Sequence, residues 1–288
     1  MPPMKAPSFG RPRWLDAAAA WRPKGADRLE LWLPREWPDA DVELRWRRTE
    51  AGGAVRQGSQ RGLEGLASAD EIVVWTPAAE TLLLRARLPT RSTAKIAQAL
   101  PFALEDQLVD APERLHFAFT QEPDGALAVA VTRRDRIEGW LAALSAAGLS
   151  PSRLAPVTLS LPLTERAWTI AFRDGEMVLR CGLHAGYGGP REMQPPGWLH
   201  TALAEARAES SAPERVLLAD APGEIDAAAW RTALGLPVET LPASGGESPR
   251  RKKPSSTRSA TSEVKNGLCR DTVSIAARSC VVTSDFRT

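Results

Sequence analysis

Between Leu100 and Phe117 the chain reads LPFALEDQLVDAPERLHF, which gathers four carboxylates and a histidine into a short span. Paired carboxylates can divide general-acid and general-base duties when their surroundings push their pKa values apart. Carboxylates with histidine can also hold a divalent metal. The spacing disfavours both chemistries here. On a helix Asp106 and Asp110 stand one turn apart, while Glu105 points well away from Asp106. His116 lies beyond Pro112 on the next predicted strand. A metal site wants several converging ligands, and only one histidine is near. The stretch reads as an amphipathic helix with a solvated acidic face, because charge runs on helices are usually surface. Such a face can also meet a partner, which makes Glu105, Asp106 and Asp110 candidate partner-binding residues.

Phosphate chemistry finds no better support. The chain holds no G-x-x-x-x-G-K-[ST] and no G-x-G-x-x-G after a strand. HAGYGGP (184–190) is glycine-rich but runs into Pro-Arg rather than a helix N-terminus. Arg173-Asp174-Gly175-Glu176 offers an Asp-Gly turn, without the small hydroxyl residues a phosphate would use. A simple turn explains each stretch better. There is no G-x-S-x-G, and His116, His184 and His200 belong to no recognisable Ser or Cys constellation. Cys181 follows an apolar strand and reads as a buried core thiol. No catalytic residue, cofactor or metal is expected.

The Trp/Arg-rich start, where Trp14, Trp21, Trp32, Trp37 and Trp46 alternate with arginines, has side chains on which bases could stack. Asp16, Asp27, Glu30, Glu36, Asp39, Asp41 and Glu43 interleave with them and cancel any basic funnel. The net charge of +2 over 288 residues hides an asymmetry. Residues 244–288 carry nine Lys/Arg against four Asp/Glu, so residues 1–243 are mildly acidic. A nucleic-acid-binding body normally shows a basic stripe instead. PRRKKP (249–254) reads as part of a solvated tail. Cys181, Cys269 and Cys280 have neither disulfide-framework nor zinc spacing. With no signal peptide and no long apolar run, the chain alone reads as reduced, soluble and cytoplasmic.

The elements that must position these residues follow from periodicity. RLELWLP from Arg28 and DVELRWRR (41–48) alternate like strands, followed by a glycine-rich turn region, AGGAVRQGSQRG. EIVVWTP (71–77) reads as a buried strand with ETLLLRARLP (80–89) as its neighbour. A helix opens at Ser92 or Thr93, with Ile96, Leu100, Leu104 and Leu108 as its stripe. Pro101 should kink it or split it in two. RLHFAFT and ALAVAVT are the next strands, the second apolar enough to be central. A helix from the RRDRIEGW stretch buries Ile137, Trp140, Leu141 and Leu144 and stops at Gly148. AWTIAF and EMVLRCG form a hairpin, GLHAGYGGPREMQPPG a loop, Trp198–Ala208 a helix and RVLLAD a strand. A last helix, Asp226–Leu234, closes at Gly235. No internal repeat is detectable.

In this order the words EIVVWTPAAETLLLRARLPTRSTAKIAQALPFALEDQLVDAPERLHFAF and AVAVTRRDRIEGWLAALSAAGLSPSRLAPVTLSLPL resemble the cytoplasmic part of type II secretion system protein L. The carrying features are "LP" before a helix, "ALPFALEDQL", "LHF", a V-x-R strand end and "LSLP". The resemblance is close over 70–163 and looser from 28 to 241. It implies an actin-like, RNase-H-like α/β fold of β-rich sub-domains with packed helices, in which nucleotide hydrolysis is lost. It also implies an inner-membrane component, seen from the cytoplasmic face. The implied partners are the secretion ATPase (protein E), protein M, protein F as a further candidate, and a second copy in a homodimer. No nucleic-acid partner is implied.

The expected organisation is an irregular segment 1–27, a β-rich unit 28–88, a helix-strand-strand-helix unit 89–165, a third α/β unit 166–243 and a disordered basic tail 244–288. Where the family has a transmembrane helix and a periplasmic domain, this chain has the polar tail, which a shifted reading frame or vector-derived residues would explain. The function expected is an adaptor that couples a cytosolic ATPase to a membrane complex for protein export. The rivals are an active actin-like ATPase and a pilus-assembly or cell-division adaptor of the same fold.

Overall fold

A computed structural model describes residues 25–241, apart from Asp174. The basic tail with PRRKKP, Cys269 and Cys280, most of the expected N-terminal segment, Trp14 and Trp21 lie outside the described residues.

The first sheet starts with β1 (Arg28–Trp32), β2 (Glu43–Thr49) and β3 (Val55–Arg61), an antiparallel meander. On the other side of β1 run β4 (Glu71–Thr76) and β8 (Arg153–Pro156), both parallel, giving the order β3-β2-β1-β4-β8. The stretch AGGAVRQGSQRG, expected to be a turn region, therefore supplies a whole strand. β3 shows no apolar alternation because it is an edge strand with almost every residue exposed. Its only glycine, Gly58, lies under the Trp46 indole, where a β-carbon would sit 3.1 Å from the ring.

The second sheet repeats this plan. β9 (Ala167–Arg173), β10 (Glu176–Arg180) and β11 (Gly186–Pro190) form an antiparallel meander, with Gly175 at φ +77° in the tight turn. Then β12 (Arg215–Ala219) and β13 (Val238–Thr240) add in parallel, in the order β11-β10-β9-β12-β13. The chain thus contains one topology twice, although no repeat is visible in its sequence. The reason is that strand order constrains only which positions are buried, and different apolar residues satisfy that pattern in each copy. Two sheets of this order, facing each other, make the fold actin-like and RNase-H-like.

Side-chain alternation explains why β4 and β9 read as continuous apolar runs: both faces of each are covered. On one face Ile72 and Val74 join Leu29, Leu31 and Leu44 under helix α2 (Arg134–Ala146), which inserts Ile137, Trp140 and Leu144. Trp168, Ile170 and Phe172 of β9 likewise pack under α3 (Gly197–Ala208) and α4 (Ala227–Leu234). On the opposite faces Val73 and Trp75 meet Ala171, Val178 and Ala219, so the two sheets share a core. The helix ends follow their sequence signals. Asp226 accepts from the Ala228 N–H at 2.8 Å, and Gly235 closes α4 at φ +64°.

Between β4 and α2 the chain makes an excursion. β5 (Thr81–Ala86) pairs with β7 (Leu127–Arg133), and β7 with β6 (Leu115–Gln121), giving a separate sheet with β7 in the middle. β5 follows β4 in sequence but does not pair with it, which corrects the expectation that the two strands are neighbours. A short 3-10 turn, Ala78–Glu80, redirects the chain between them. Helix α1 (Thr93–Leu104) covers this sheet through Ile96, Leu100 and Leu104. It runs unbroken through Pro101 rather than splitting there. The partner that Pro101 cannot bond is the carbonyl of Ala97, an exposed residue, so water can take its place.

Candidate partner-docking surface

Helix α1 ends in a 3-10 turn, Glu105–Gln107, where the Glu105 N–H donates to the Phe102 carbonyl and the Leu108 N–H to Glu105 at 3.2 Å. The apolar stripe is satisfied on the inner side, where Leu104 is buried and Leu108 packs against the same core. Everything opposite that stripe is turned to solvent. Glu105 and Asp106 are exposed, and neither takes part in any of the ion pairs of the described residues. Asp110 differs: it is half-buried and its carboxylate lies 3.9 Å from the Arg114 guanidinium. The structure therefore leaves Glu105 and Asp106 exposed in the turn that ends α1 and ties Asp110 toward Arg114.

Two residues of this surface escaped the sequence reading. Phe102 is 76% exposed, and Val109 is fully exposed. A signal was present, since Phe102 falls two positions away from both Leu100 and Leu104 and cannot share their stripe.

His116 is not part of this surface. It sits on β6, facing a small cavity of about 30 Å³ lined in part by Thr76, Thr81, Thr132 and Trp140. Burial lowers its pKa, and the charge of Arg134 lowers it further. His184 pairs at 3.2 Å with Glu122, and His200 lies exposed on α3. Burial alone would raise the Glu122 carboxyl, but hydrogen bonds from Arg85 and with His184 outweigh it and hold the group below its ordinary value. Glu122 and His184 both line a groove of about 580 Å³ between the three-stranded sheet and the second five-stranded sheet. Leu84, Trp168, Cys181 and Tyr187 line it with Glu205 and Glu209, while its bases Arg85 and His184 are already paired with Glu122, which disfavours a phosphate. Cys181 is half-buried, and burial pushes its thiol up to about 11, the opposite of an activated nucleophile.

The two five-stranded sheets share a core, and at its border Trp32, Trp75, Pro77, Val157 and Val178 line a cavity of about 20 Å³. Arg173 at its border is held by Asp220 at 2.8 and 3.0 Å. The glycine-rich run rejected above as a phosphate loop is β11, an edge strand rather than the expected loop. Its glycines allow close approach: a β-carbon on Gly186 would meet Thr158 at 2.1 Å, and one on Gly189 would meet the Trp198 indole at 2.8 Å. Arg180, buried to 1% exposure, donates to the carbonyls of Leu159, Leu161, Gly182 and Leu183 and so ties the second sheet to the segment leading into it. Among the described residues, no group of three or more His, Cys, Asp or Glu is placed to hold a metal ion. Nor is any helix among them long and apolar enough to cross a membrane.

Comparison with known proteins agrees with this architecture. The profile of the family described as type II secretion system (T2SS), protein L, matches residues 40–239. Protein L of Klebsiella pneumoniae is 33% identical over 156 residues, covering 52% of this chain and 39% of the relative. Protein L of Pectobacterium carotovorum is 34% identical over 107 residues, covering 37% of this chain and 25% of the relative. The chain thus spans well under half the length of these relatives. Among solved structures, the cytoplasmic domain of EpsL, an inner membrane component of the type II secretion system of Vibrio cholerae, superposes with a TM-score of 0.55. That match is 20% identical and covers 67% of this chain and 81% of the other, which speaks for the fold. With a family match spanning most of both sheets and the whole excursion between them, this chain belongs to the type II secretion system protein L family.

Proposed function

We propose that this chain is a non-enzymatic adaptor of the secretion machinery, recruiting the secretion ATPase (protein E) at the cytoplasmic face of the inner membrane. Protein M, and further out protein F, are its proposed companions there, with a second copy of the chain as its proposed dimer partner. The observation that carries this reading is the filled space between the two five-stranded sheets. An actin-like body that hydrolysed ATP would need room between its halves and several backbone N–H groups or a lysine facing the phosphates. Here Trp32, Trp75, Val157, Ala171, Val178 and Ala219 pack together between the sheets. What the body offers instead is surface, and the exposed end of α1 with Glu105, Asp106 and the adjoining Asp110 is the proposed contact for the ATPase. Charges of this kind act on encounter rate and selectivity more than on total affinity. Co-purification with protein E of the same bacterium, alongside titration with Mg-ATP, tests the reading. Capture of the ATPase without nucleotide binding is expected. Low-micromolar ATP binding, or no capture, overturns it.

A further inference from the structure

We infer that Phe102 and Val109 form the apolar anchor of a protein–protein contact, with Glu105 and Asp106 as its charged rim. The partner it fits presents an aliphatic pocket ringed by Lys or Arg. This deepens the adaptor reading above and rests on it for the identity of the ATPase.

Exposure and geometry carry the argument. Phe102 and Val109 leave 76% and essentially all of their surface in water, and they stand seven positions apart. Glu105 and Asp106 follow Phe102 by three and four positions, the spacing of neighbours on one helical face, and the Glu105 N–H bonds back to the Phe102 carbonyl where the helix gives way to the 3-10 turn. Leu108 is already extended at φ −105° and ψ 142°, so Val109 stands on the segment that leaves the turn. Leu108 turns inward against the α1 core, and Val109 beside it turns out. The opposite face of α1 already supplies Ile96, Leu100 and Leu104 to the core, so folding places no demand on a large aromatic at 102. Among the described residues the other exposed large apolar side chains, Val55, Leu82, Tyr187 and Met193, are scattered over other segments, and Tyr187 leans on the Trp198 ring at 6.4 Å.

An aromatic and an aliphatic side chain standing in water, flanked by polar groups, is the arrangement found at the centre of protein contacts. The rim selects the partner. Among the described residues no cation pairs with Glu105 or Asp106, both of which are exposed, so they face an incoming one. The same two charges repel phosphates and anionic lipid headgroups, which leaves a cationic protein surface as the complement. Asp110, engaged with Arg114, lies at the border of the patch and contributes less.

The test titrates purified protein E into the full chain as wild type, Phe102→Ser, Val109→Ser and Met193→Ser, with circular dichroism to confirm the fold. Phe102→Ser and Val109→Ser should each weaken binding about tenfold or more. Met193→Ser should bind like wild type. Wild-type-like binding of both patch variants overturns the inference and leaves the adaptor reading standing. A photo-crosslinking residue, p-benzoylphenylalanine, placed at position 102 in cells with the whole secretion system separates the two claims. Crosslinking to protein E supports both. If wild type does not bind protein E but position 102 crosslinks to another component through a peptide rich in Lys, Arg and aliphatic residues, the patch stands and the ATPase reading falls. If wild type does not bind protein E and position 102 gives no crosslink, both are overturned.

Discussion

Gly188 on β11 lies so close to Ala78 that a β-carbon at 188 would meet the Ala78 methyl at 2.4 Å and the Ala78 backbone at 2.8 Å. These residues belong to different halves of the molecule. Ala78 sits in the 3-10 turn after β4, and β11 is the edge of the second sheet. The contact has no flexible side-chain end that can move aside, so Gly188→Val must push the halves apart. It should destabilise the protein by about 1–3 kcal/mol, the usual cost of overpacking. Gly139 is the contrasting case: it lies inside α2 with nothing within 4 Å of a new β-carbon. Gly139→Ala should stabilise by about 0.5–1 kcal/mol through helix propensity. Urea unfolding of both variants checks the pair, and the opposite signs are the expected outcome.

The two faces of α1 should respond differently to mutation. Leu104 is 1% exposed within the core of the three-stranded sheet, so Leu104→Ala should cost about 2–5 kcal/mol. Glu105→Lys with Asp106→Lys lies on the exposed face and should leave the melting temperature near wild type. The same double variant should slow capture of protein E and flatten its salt dependence. Stopped-flow association at several salt concentrations reads this directly. Asp110→Lys, which faces Arg114, should instead disturb local packing of charges more than capture.

His116 predicts a pH dependence of stability. Its folded-state pKa lies below the ordinary 6.5, first through burial and then through Arg134. The unfolded chain therefore binds the proton more readily than the folded one. Its contribution is complete above about pH 6.5 and is lost as pH falls below that value toward the folded pKa. Thermal melts at falling pH should show this decline, and His116→Gln should flatten it. A variant whose profile matches wild type would contradict the assignment.

Glu122 works at a more acid range. Its pKa is lowered from 4.5, because the hydrogen bonds from Arg85 and with His184 outweigh its burial. The bridge it makes is present above the unfolded value and is lost as pH falls through the lowered folded one. Glu122→Gln should loosen the link between the three-stranded sheet and the loop that carries His184. Hydrogen exchange at Leu183–Ala185 should rise at neutral pH, with only a small change in global stability, since Arg85 is largely exposed.

Much of the local structure is legible in the sequence alone. The stripe Ile96, Leu100, Leu104 identified α1 and its buried face. The run ALAVAVT identified the central strand of its sheet, and the Asp226 and Gly235 caps bounded α4. Such features depend on neighbours within one helical turn or one strand, so composition and period determine them. The acidic rim at Glu105 and Asp106 was legible for the same reason.

Pairing and burial were decided only by the tertiary structure. Val55–Arg61 became a strand because β2 offered a free edge, not because its own residues favour one. β5 left its sequence neighbour β4 to pair with β7, and β8 returned across the excursion to join β4. The glycines of β11 carry no pattern that distinguishes a phosphate loop from a close-packed edge, since only the approach of Ala78, Thr158 and Trp198 makes that distinction. The duplicated sheet order depends on strand pairings such as Val73 with Arg153, and the packing between the sheets on contacts such as Trp75 with Val178. A sequence states which side chains prefer to be buried; which of them meet, and which, like Phe102 and Val109, are left facing water, is settled when the sheets and helices pack.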